Sequence, residues 1–245
     1  MRRLILAFIL MTAPAFAGGL GDMTDAERSA FRAEIRQYLL DNPEVLTEAM
    51  AVLQDRQDKA AALADSKAVT DNSDAIYKDA ASFVGGNPNG DITVVEFLDY
   101  RCTYCRKAYA EVADLVKTDG NIRFVVKEFP ILGDDSVTSS RFAIAMRMLH
   151  GDAAYAATHD ALITLRGQPD ADTLSRLALS LGYDPAPIMA LMTDDKVTAV
   201  IAANHDLANT LNITGTPTFV IAGKMLRGYV PEDGMKQIVA EGRAG

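Results

Sequence analysis

The stretch that decides the fold is EFLDYRCTYC at residues 96–105, which contains both cysteines of the chain, Cys102 and Cys105. The apolar, β-rich run at 93–98 predicts a strand, and the apolar period over about 106–117 predicts a helix. The two cysteines therefore lie where a strand ends and a helix begins.

This position gives the cysteine pair its predicted chemistry. Free N–H groups and the dipole at a helix N-terminus stabilise a negative charge, so Cys102 is the predicted nucleophile with a lowered pKa. Cys105 lies one turn later and is predicted to resolve a mixed disulfide. A purely structural bond would close a very short loop, worth roughly 2 kcal/mol, which is little for a domain with an ample core.

Metal binding is the competing use of two thiolates. A zinc site needs about four ligands, and the chain adds only three histidines outside the motif, without ligand spacing. The sequence therefore predicts no cofactor and no resident metal. Copper(I) held by the two thiolates stays open as an alternative of another class.

The rest of the chain predicts an α/β domain. A second apolar run at 122–129 predicts a strand parallel to the first, because strand–helix–strand units join parallel strands. Residues 136–203 read as a helical insert broken by glycines and prolines. A strand from Pro217, a hairpin and a last helix complete a catalytic domain at 91–245.

The first seventeen residues have the layout of a secretory signal. Arg2 and Arg3 precede a short apolar run, and small residues lead to a predicted cleavage site after Ala17. The apolar run is far shorter than the ~20 residues that span a bilayer. We therefore expect residues 1–17 to be a cleaved signal peptide and the protein to be periplasmic.

Residues 18–67 predict a helical arm, followed by a polar linker at 68–90. Thr24 and Glu27 form a capping-box pattern, and Phe31 and Ile35 begin an apolar stripe. The arm either packs on its own domain or joins copies of the chain. We expect a homo-oligomer formed through residues 24–67.

The net charge of the chain limits the classes of partner that it is expected to bind. The chain has 24 basic and 33 acidic residues, a net charge of −9, and a surface of this sign repels phosphate backbones. Nucleic acid is therefore excluded as a predicted partner. Two cysteines in an exported, oxidising compartment are expected to form a disulfide at some stage.

Two further positions are singled out by their surroundings. Glu96 interrupts an apolar strand, so we expect it to be buried, partly protonated and placed beneath Cys105 as a general base. The bond between Thr216 and Pro217 precedes the third strand, and base rates alone favour its trans form.

The residues quoted at 96–105, the segment KEFPILG at 127–133 and the segment GTPTF at 215–219 together resemble the DsbA family. The chain is most similar to the group with an N-terminal helical extension, which includes suppressor-of-copper-sensitivity C-type proteins. The resemblance implies a thioredoxin fold, a cis Pro217 beside the Cys102 sulfur, and a helical insert that caps the active-site face. It also implies that Thr216 offers backbone groups to an extended substrate.

The resemblance also bears on which redox reaction is favoured. Thr103 and Tyr104 replace the Pro-His pair of strongly oxidising members, so an extreme oxidising potential is not expected. Threonine before the proline, at position 216, is similar to the residue that the isomerases have there, whereas the oxidases tend to have valine. The expected function is thiol–disulfide exchange on unfolded or misfolded exported proteins, with isomerase favoured over oxidase, together with a membrane redox partner protein.

Overall fold

The computed structural model describes residues 23–244. The chain divides into two units, 1–58 and 59–245, and the division falls within a long helix. The predicted signal peptide at 1–17 and its cleavage site after Ala17 lie outside the described residues.

The described chain contains ten helices and five strands. The helices are α1 Asp25–Asp41, α2 Glu44–Asp71, α3 Ser73–Tyr77, α4 Thr103–Asp119, α5 Asp134–His150, α6 Asp152–Thr164, α7 Ala171–Ser180, α8 Pro185–Leu191, α9 Asp195–Thr210 and α10 Glu232–Ala244. The strands are β1 Phe83–Gly86, β2 Ile92–Leu98, β3 Ile122–Glu128, β4 Thr218–Ile221 and β5 Lys224–Arg227.

The described part of the first unit, residues 23–58, is helical, and α1 begins with a capping box. The Thr24 hydroxyl accepts the Glu27 N–H at 3.3 Å, and the Glu27 carboxylate accepts the Thr24 N–H at 2.8 Å. Two otherwise unpaired N–H groups are thereby satisfied, as the sequence predicted. α1 buries none of its residues.

The second unit is built on one sheet with strand order β1-β3-β2-β4-β5. β2 and β3 are parallel, as predicted, and the other pairs are antiparallel. On one face of β2, Val94 and Leu98 pack with α4 and its neighbours. On the other face, Val95 and Phe97 pack with the end of α9 and with α3. β2 is thus covered on both sides, and a polar residue within it is buried.

The segment at 68–90 is more structured than a linker. It contains the end of α2, the helix α3 and the strand β1, which pairs with β3 at the sheet edge. The prediction missed β1 because half of it is glycine. Gly86 has φ +65°, and a Cβ there would lie 2.4 Å from the Ile122 carbonyl oxygen, so only glycine fits.

A buried lysine joins this segment to the sheet. Lys127 of β3 has a side chain only 1% exposed and donates to the Ala75 carbonyl and the Asp79 carboxylate, both at 2.8 Å. Asp79 also accepts hydrogen bonds from Ser82 and the Ala81 N–H. Without Asp79, the Lys127 ammonium would keep only the Ala75 carbonyl and would have no counter-charge. Without Lys127, Asp79 would still accept hydrogen bonds from Ser82 and the Ala81 N–H.

We expect Asp79→Ala to lower the free energy of unfolding by roughly 3 kcal/mol, because it leaves a buried ammonium without its counter-charge. Lys127→Met should cost less than about 1 kcal/mol, since it removes the buried charge and fills the space with apolar atoms. Urea unfolding followed by circular dichroism measures both. Equal losses in the two variants would contradict this account.

Candidate active site

Cys102 is the N-cap residue of α4, and its sulfur faces the loop before β4. The Cys102 Sγ lies 3.1 Å from the Thr216 carbonyl oxygen, to which it donates a hydrogen bond when it is protonated. The Thr216–Pro217 bond is cis, as the resemblance implies and against the base rate. Two segments more than a hundred residues apart thus meet at the sulfur.

The pKa of Cys102 is lowered to about 5. The largest cause is the hydrogen bond from the Cys105 thiol; burial opposes it, and hydrogen bonds from the Thr216 side chain and the first N–H groups of α4 add to it. A thiol with this pKa is ionised at neutral pH. It is therefore the stronger nucleophile of the two cysteines.

Cys105 is held in the opposite state. It is buried, and its hydrogen bond to Cys102, its burial and the charge of Glu96 raise its pKa far above the ordinary thiol value. Both cysteines are free thiols in this structure. The pair therefore consists of a reactive thiolate backed by a thiol that needs a base.

Glu96 is buried in the centre of β2, as predicted. Burial, and then the charges of Cys102 and Glu128, raise its pKa to about 8. Glu96 and Cys105 line the same cavity of about 480 Å³, which α4 and α6 form over the sheet. The carboxyl group predicted to act on Cys105 thus shares a cavity with it.

The two residues between the cysteines are exposed. Thr103 begins α4, and the Tyr104 ring, 59% exposed, stacks on Tyr229 with centroids 6.5 Å apart. The Lys107 ammonium lies 4.0 Å from the centre of the Tyr229 ring, and the Tyr229 hydroxyl donates a hydrogen bond to the Glu111 carboxylate. An aromatic surface therefore borders the cysteine pair on the α10 side.

Asp99 is a site residue that the sequence reasoning missed. Its fully buried carboxylate accepts the N–H of Arg101 at 2.8 Å, of Ile131 at 2.8 Å and of Leu132 at 3.0 Å. It ties the turn before Cys102 to the loop after β3. The signal that could have found it is an aspartate between a buried strand and the first cysteine.

The helical insert contributes to the cavity, as the resemblance implies for an insert on this face. His159 of α6 is 7% exposed and lines the cavity with Cys105 and Glu96. Burial lowers its pKa to about 4, so it is neutral at pH 7. Over residues 23–244, the His, Cys, Asp and Glu side chains form no group of three or more that could hold a metal ion.

A family model for the DSBA-like thioredoxin domain matches residues 93–240. The chain belongs to this family. A second model, described as the copper resistance protein ScsC N-terminal domain, matches residues 27–60. The predicted family and the predicted thioredoxin fold are both confirmed, and the match supports disulfide oxidoreductase chemistry for the domain.

Solved structures extend this relationship. A thioredoxin-like oxidoreductase from Silicibacter pomeroyi is 39% identical, with 70% of this chain and 98% of that chain covered and a TM-score of 0.66. Proteus mirabilis ScsC in a transitional conformation is 26% identical, with 92% and 99% covered and a TM-score of 0.66. A periplasmic thioredoxin-like protein from Salmonella enterica is 26% identical, with 71% and 96% covered and a TM-score of 0.64.

Curated relatives include two much longer proteins. Na(+)/H(+) antiporters NhaA 1 of Salinispora arenicola and NhaA 3 of Salinispora tropica are each 28% identical, over 162 and 145 residues. The matches cover 66% and 59% of this chain but 25% and 22% of those proteins, so the chain spans about a quarter of their length. Within residues 23–244, no helix is both long and apolar enough to cross a membrane.

Titration of the reduced DSBA-like protein, followed by ultraviolet absorbance of the thiolate, should show a cysteine transition near pH 5. Cys102→Ala should abolish this transition. Cys105→Ala should raise its midpoint by ~1 unit or more, because the largest cause of the lowered pKa is lost. An unchanged midpoint in Cys105→Ala would contradict the assigned cause.

Proposed function

We propose that this protein catalyses thiol–disulfide exchange on exported proteins through a mixed disulfide at Cys102. The observation that carries the proposal is the placement of the Cys102 sulfur, at the start of α4 and 3.1 Å from the Thr216 carbonyl. This placement supports the proposal, because the proposed nucleophile lies beside the backbone that we expect to receive a substrate.

In the first step, the Cys102 thiolate attacks one sulfur of a substrate disulfide. A bond forms between the Cys102 sulfur and that sulfur, the substrate S–S bond breaks, and the other substrate sulfur leaves as a thiolate. Thr216 holds the extended substrate segment by backbone hydrogen bonds, in the manner of an added strand, next to Pro217.

In the second step, Cys105 resolves the mixed disulfide. The Cys105 thiol gives its proton to the Glu96 carboxylate, and its sulfur attacks the Cys102 sulfur. The Cys102–Cys105 bond forms, the mixed disulfide breaks, and the substrate leaves as a thiolate. The shared cavity lets the proton on Glu96 exchange with solvent.

Thr103 and Tyr104 tune the redox behaviour of the pair in this proposal. Both are exposed and carry no charge, so neither stabilises the Cys102 thiolate as a histidine cation would. The thiolate depends instead on Cys105, Thr216 and the N–H groups of α4. This favours a moderate potential over that of an extreme oxidant.

Isomerase is the favoured activity and DsbA-like oxidase the alternative. An isomerase works from the reduced pair and gains from an oligomer that encloses its substrate, so the helical arm and Thr216 support it. A membrane redox protein would keep the pair in its working state. The predicted leader, and the periplasmic description of the Salmonella relative, support a periplasmic location.

The test is reactivation of scrambled, fully oxidised ribonuclease by residues 18–245 under mildly reducing conditions. We expect recovery that falls to the uncatalysed background in Cys102→Ala, because the attacking thiolate is gone. Cys105→Ala should keep partial recovery and accumulate mixed disulfide, because it attacks but does not resolve.

No recovery by a folded protein would overturn the isomerase proposal. Oxidation of reduced ribonuclease by the disulfide form would then support the oxidase. Loss of both activities, with the reduced protein retaining copper(I) against a strong chelator, would favour the second candidate, a copper(I)-handling protein that uses the same thiolates. The match of residues 27–60 to a copper-resistance family keeps that candidate open.

The arm at residues 24–67 is proposed to join copies of this chain. Phe31, Ile35 and Tyr38 follow helical spacing on α1, and each is more than 40% exposed. Leu46, Met50 and Leu53 repeat the spacing on α2 and are 53%, 71% and 55% exposed. Apolar stripes of this length normally mark a partner surface, and a second copy of the stripe matches it in chemistry.

Met50→Glu combined with Leu53→Glu should convert the protein to monomers, because the charges on the stripe would be buried at the interface without partners. Sedimentation velocity measures the change. Ala51→Glu with Ala62→Glu adds the same charge on the opposite face of the helix and should leave the oligomer intact. A monomeric unmodified protein, or equal dissociation in both variants, would refute this interface.

A further inference from the structure

Two buried carboxyl groups, those of Glu96 and Glu128, lie on the same face of the sheet. In the parallel register, Glu96 pairs with Val126, and Leu98 pairs with Glu128. Residues two apart on a strand share a face, as do paired residues on neighbouring strands. Leu98 and Val126 pack in the same cluster as Cys105, and the Glu128 carboxyl group meets α5 and α6. Both carboxyl groups therefore lie on the helix-covered face of the sheet that also holds Cys105.

Their hydrogen bonding differs sharply. Glu128 is 3% exposed and accepts three hydroxyl groups: Tyr100 at 2.8 Å and Tyr155 at 2.5 Å on Oε1, and Ser140 at 2.7 Å on Oε2. No described residue donates a hydrogen bond to the carboxyl group of Glu96. Three donors favour the ionised form of a carboxyl group, so Glu128 is built to hold the negative charge and Glu96 to hold the proton.

The two groups also act on each other. Burial raises the pKa of Glu128 to about 7 against the three hydroxyl donors, and the charge of Glu128 helps raise the pKa of Glu96 to about 8. Other titratable groups that face Glu128 are Asp99, Tyr100 and Tyr155. Glu128 therefore ionises first, and its charge then opposes ionisation of Glu96.

A histidine completes the chain of hydrogen bonds. The Tyr100 oxygen lies 3.2 Å from the His159 Nδ1. Because the Tyr100 proton is given to Glu128, the hydrogen of that contact must come from Nδ1, which makes neutral His159 the donor. The rings of Tyr100, Tyr109 and Tyr155 and the charge of Asp160 surround His159. The charge of Glu128 is thus supported by an unbroken set of donors.

We propose that Glu128 is a positioning residue for the resolving step: its charge keeps the proton on Glu96, and so sets the pH range in which Glu96 accepts the proton of Cys105. The proposal rests on the proposed function, in which Glu96 is the base. Tyr100, Tyr155 and Ser140 act through Glu128 by holding it ionised.

The test measures the resolving rate against pH in the full mature protein. Reduced protein is mixed with saturating oxidised glutathione, quenched with acid, and the glutathione adduct is followed by mass spectrometry as Cys105 displaces it. The rate rises with pH as Glu96 ionises. Glu128→Gln removes the charge at nearly constant volume and should move the midpoint of this rise down by about one pH unit or more. An unchanged midpoint would overturn the proposal.

A milder pair of variants guards against misfolding of Glu128→Gln. Ser140→Ala removes one donor, so Glu128 ionises later and the midpoint for Glu96 should fall by less than in Glu128→Gln. Ser139→Ala is the matched control, because Ser139 is equally buried one residue away and donates to the Asp135 carbonyl instead. Equal midpoints in the two serine variants would count against the proposal.

Glu96→Gln separates this proposal from the one on which it rests. If Glu96→Gln keeps the rise with pH, the role of Glu96 as base fails. If Glu96→Gln removes the rise while Glu128→Gln leaves the midpoint in place, only the role of Glu128 fails. The Cys102 thiolate titration should be the same in Glu128→Gln as in the unmodified protein, whereas a general structural disturbance would move it.

Discussion

The Asp99 carboxylate is the constraint on which the rest of the site depends. It accepts N–H groups from Arg101 in the turn that leads to Cys102 and from Ile131 and Leu132 in the loop after β3. A buried carboxylate with three donors is satisfied without a cation, and losing it would leave those N–H groups unpaired. The first turn of α4 is therefore fixed relative to the sheet, and with it the direction of the Cys102 sulfur.

Fixed in this way, the sulfur belongs to a set of coupled charges. The Cys102 thiolate raises the pKa of both Glu96 and Cys105, and Glu96 raises that of Cys105. When Cys102 forms a mixed disulfide, its charge disappears, and both pKa values fall. In the proposed mechanism, attack on a substrate thereby frees Glu96 to act as a base and makes Cys105 easier to ionise. The proposed resolving step is then held back until there is a mixed disulfide to resolve.

The same coupling explains how the chain stabilises a thiolate without a histidine between its cysteines. The largest lowering of the Cys102 pKa comes from Cys105 itself. The resulting stabilisation of the reduced form is complete above the ordinary thiol pKa and is lost as the pH falls through about 5. Forming the disulfide removes the donor and the thiolate together, so the reduced state is favoured to that extent.

The sequence predicts the role of a site residue when that role is set by the residue's neighbours along the chain. Burial of Glu96 follows from the apolar residues around it, and the reactivity of Cys102 follows from its place before a helix. Asp99 and Glu128 were missed because most of their donors come from other segments of the chain: Ile131 and Leu132 for Asp99, and Tyr100, Ser140 and Tyr155 for Glu128. β1 was missed because two glycines hide a strand whose pairing with β3 is not local. The apolar stripes of the arm were visible in the sequence because a helix brings residues three and four apart onto one face.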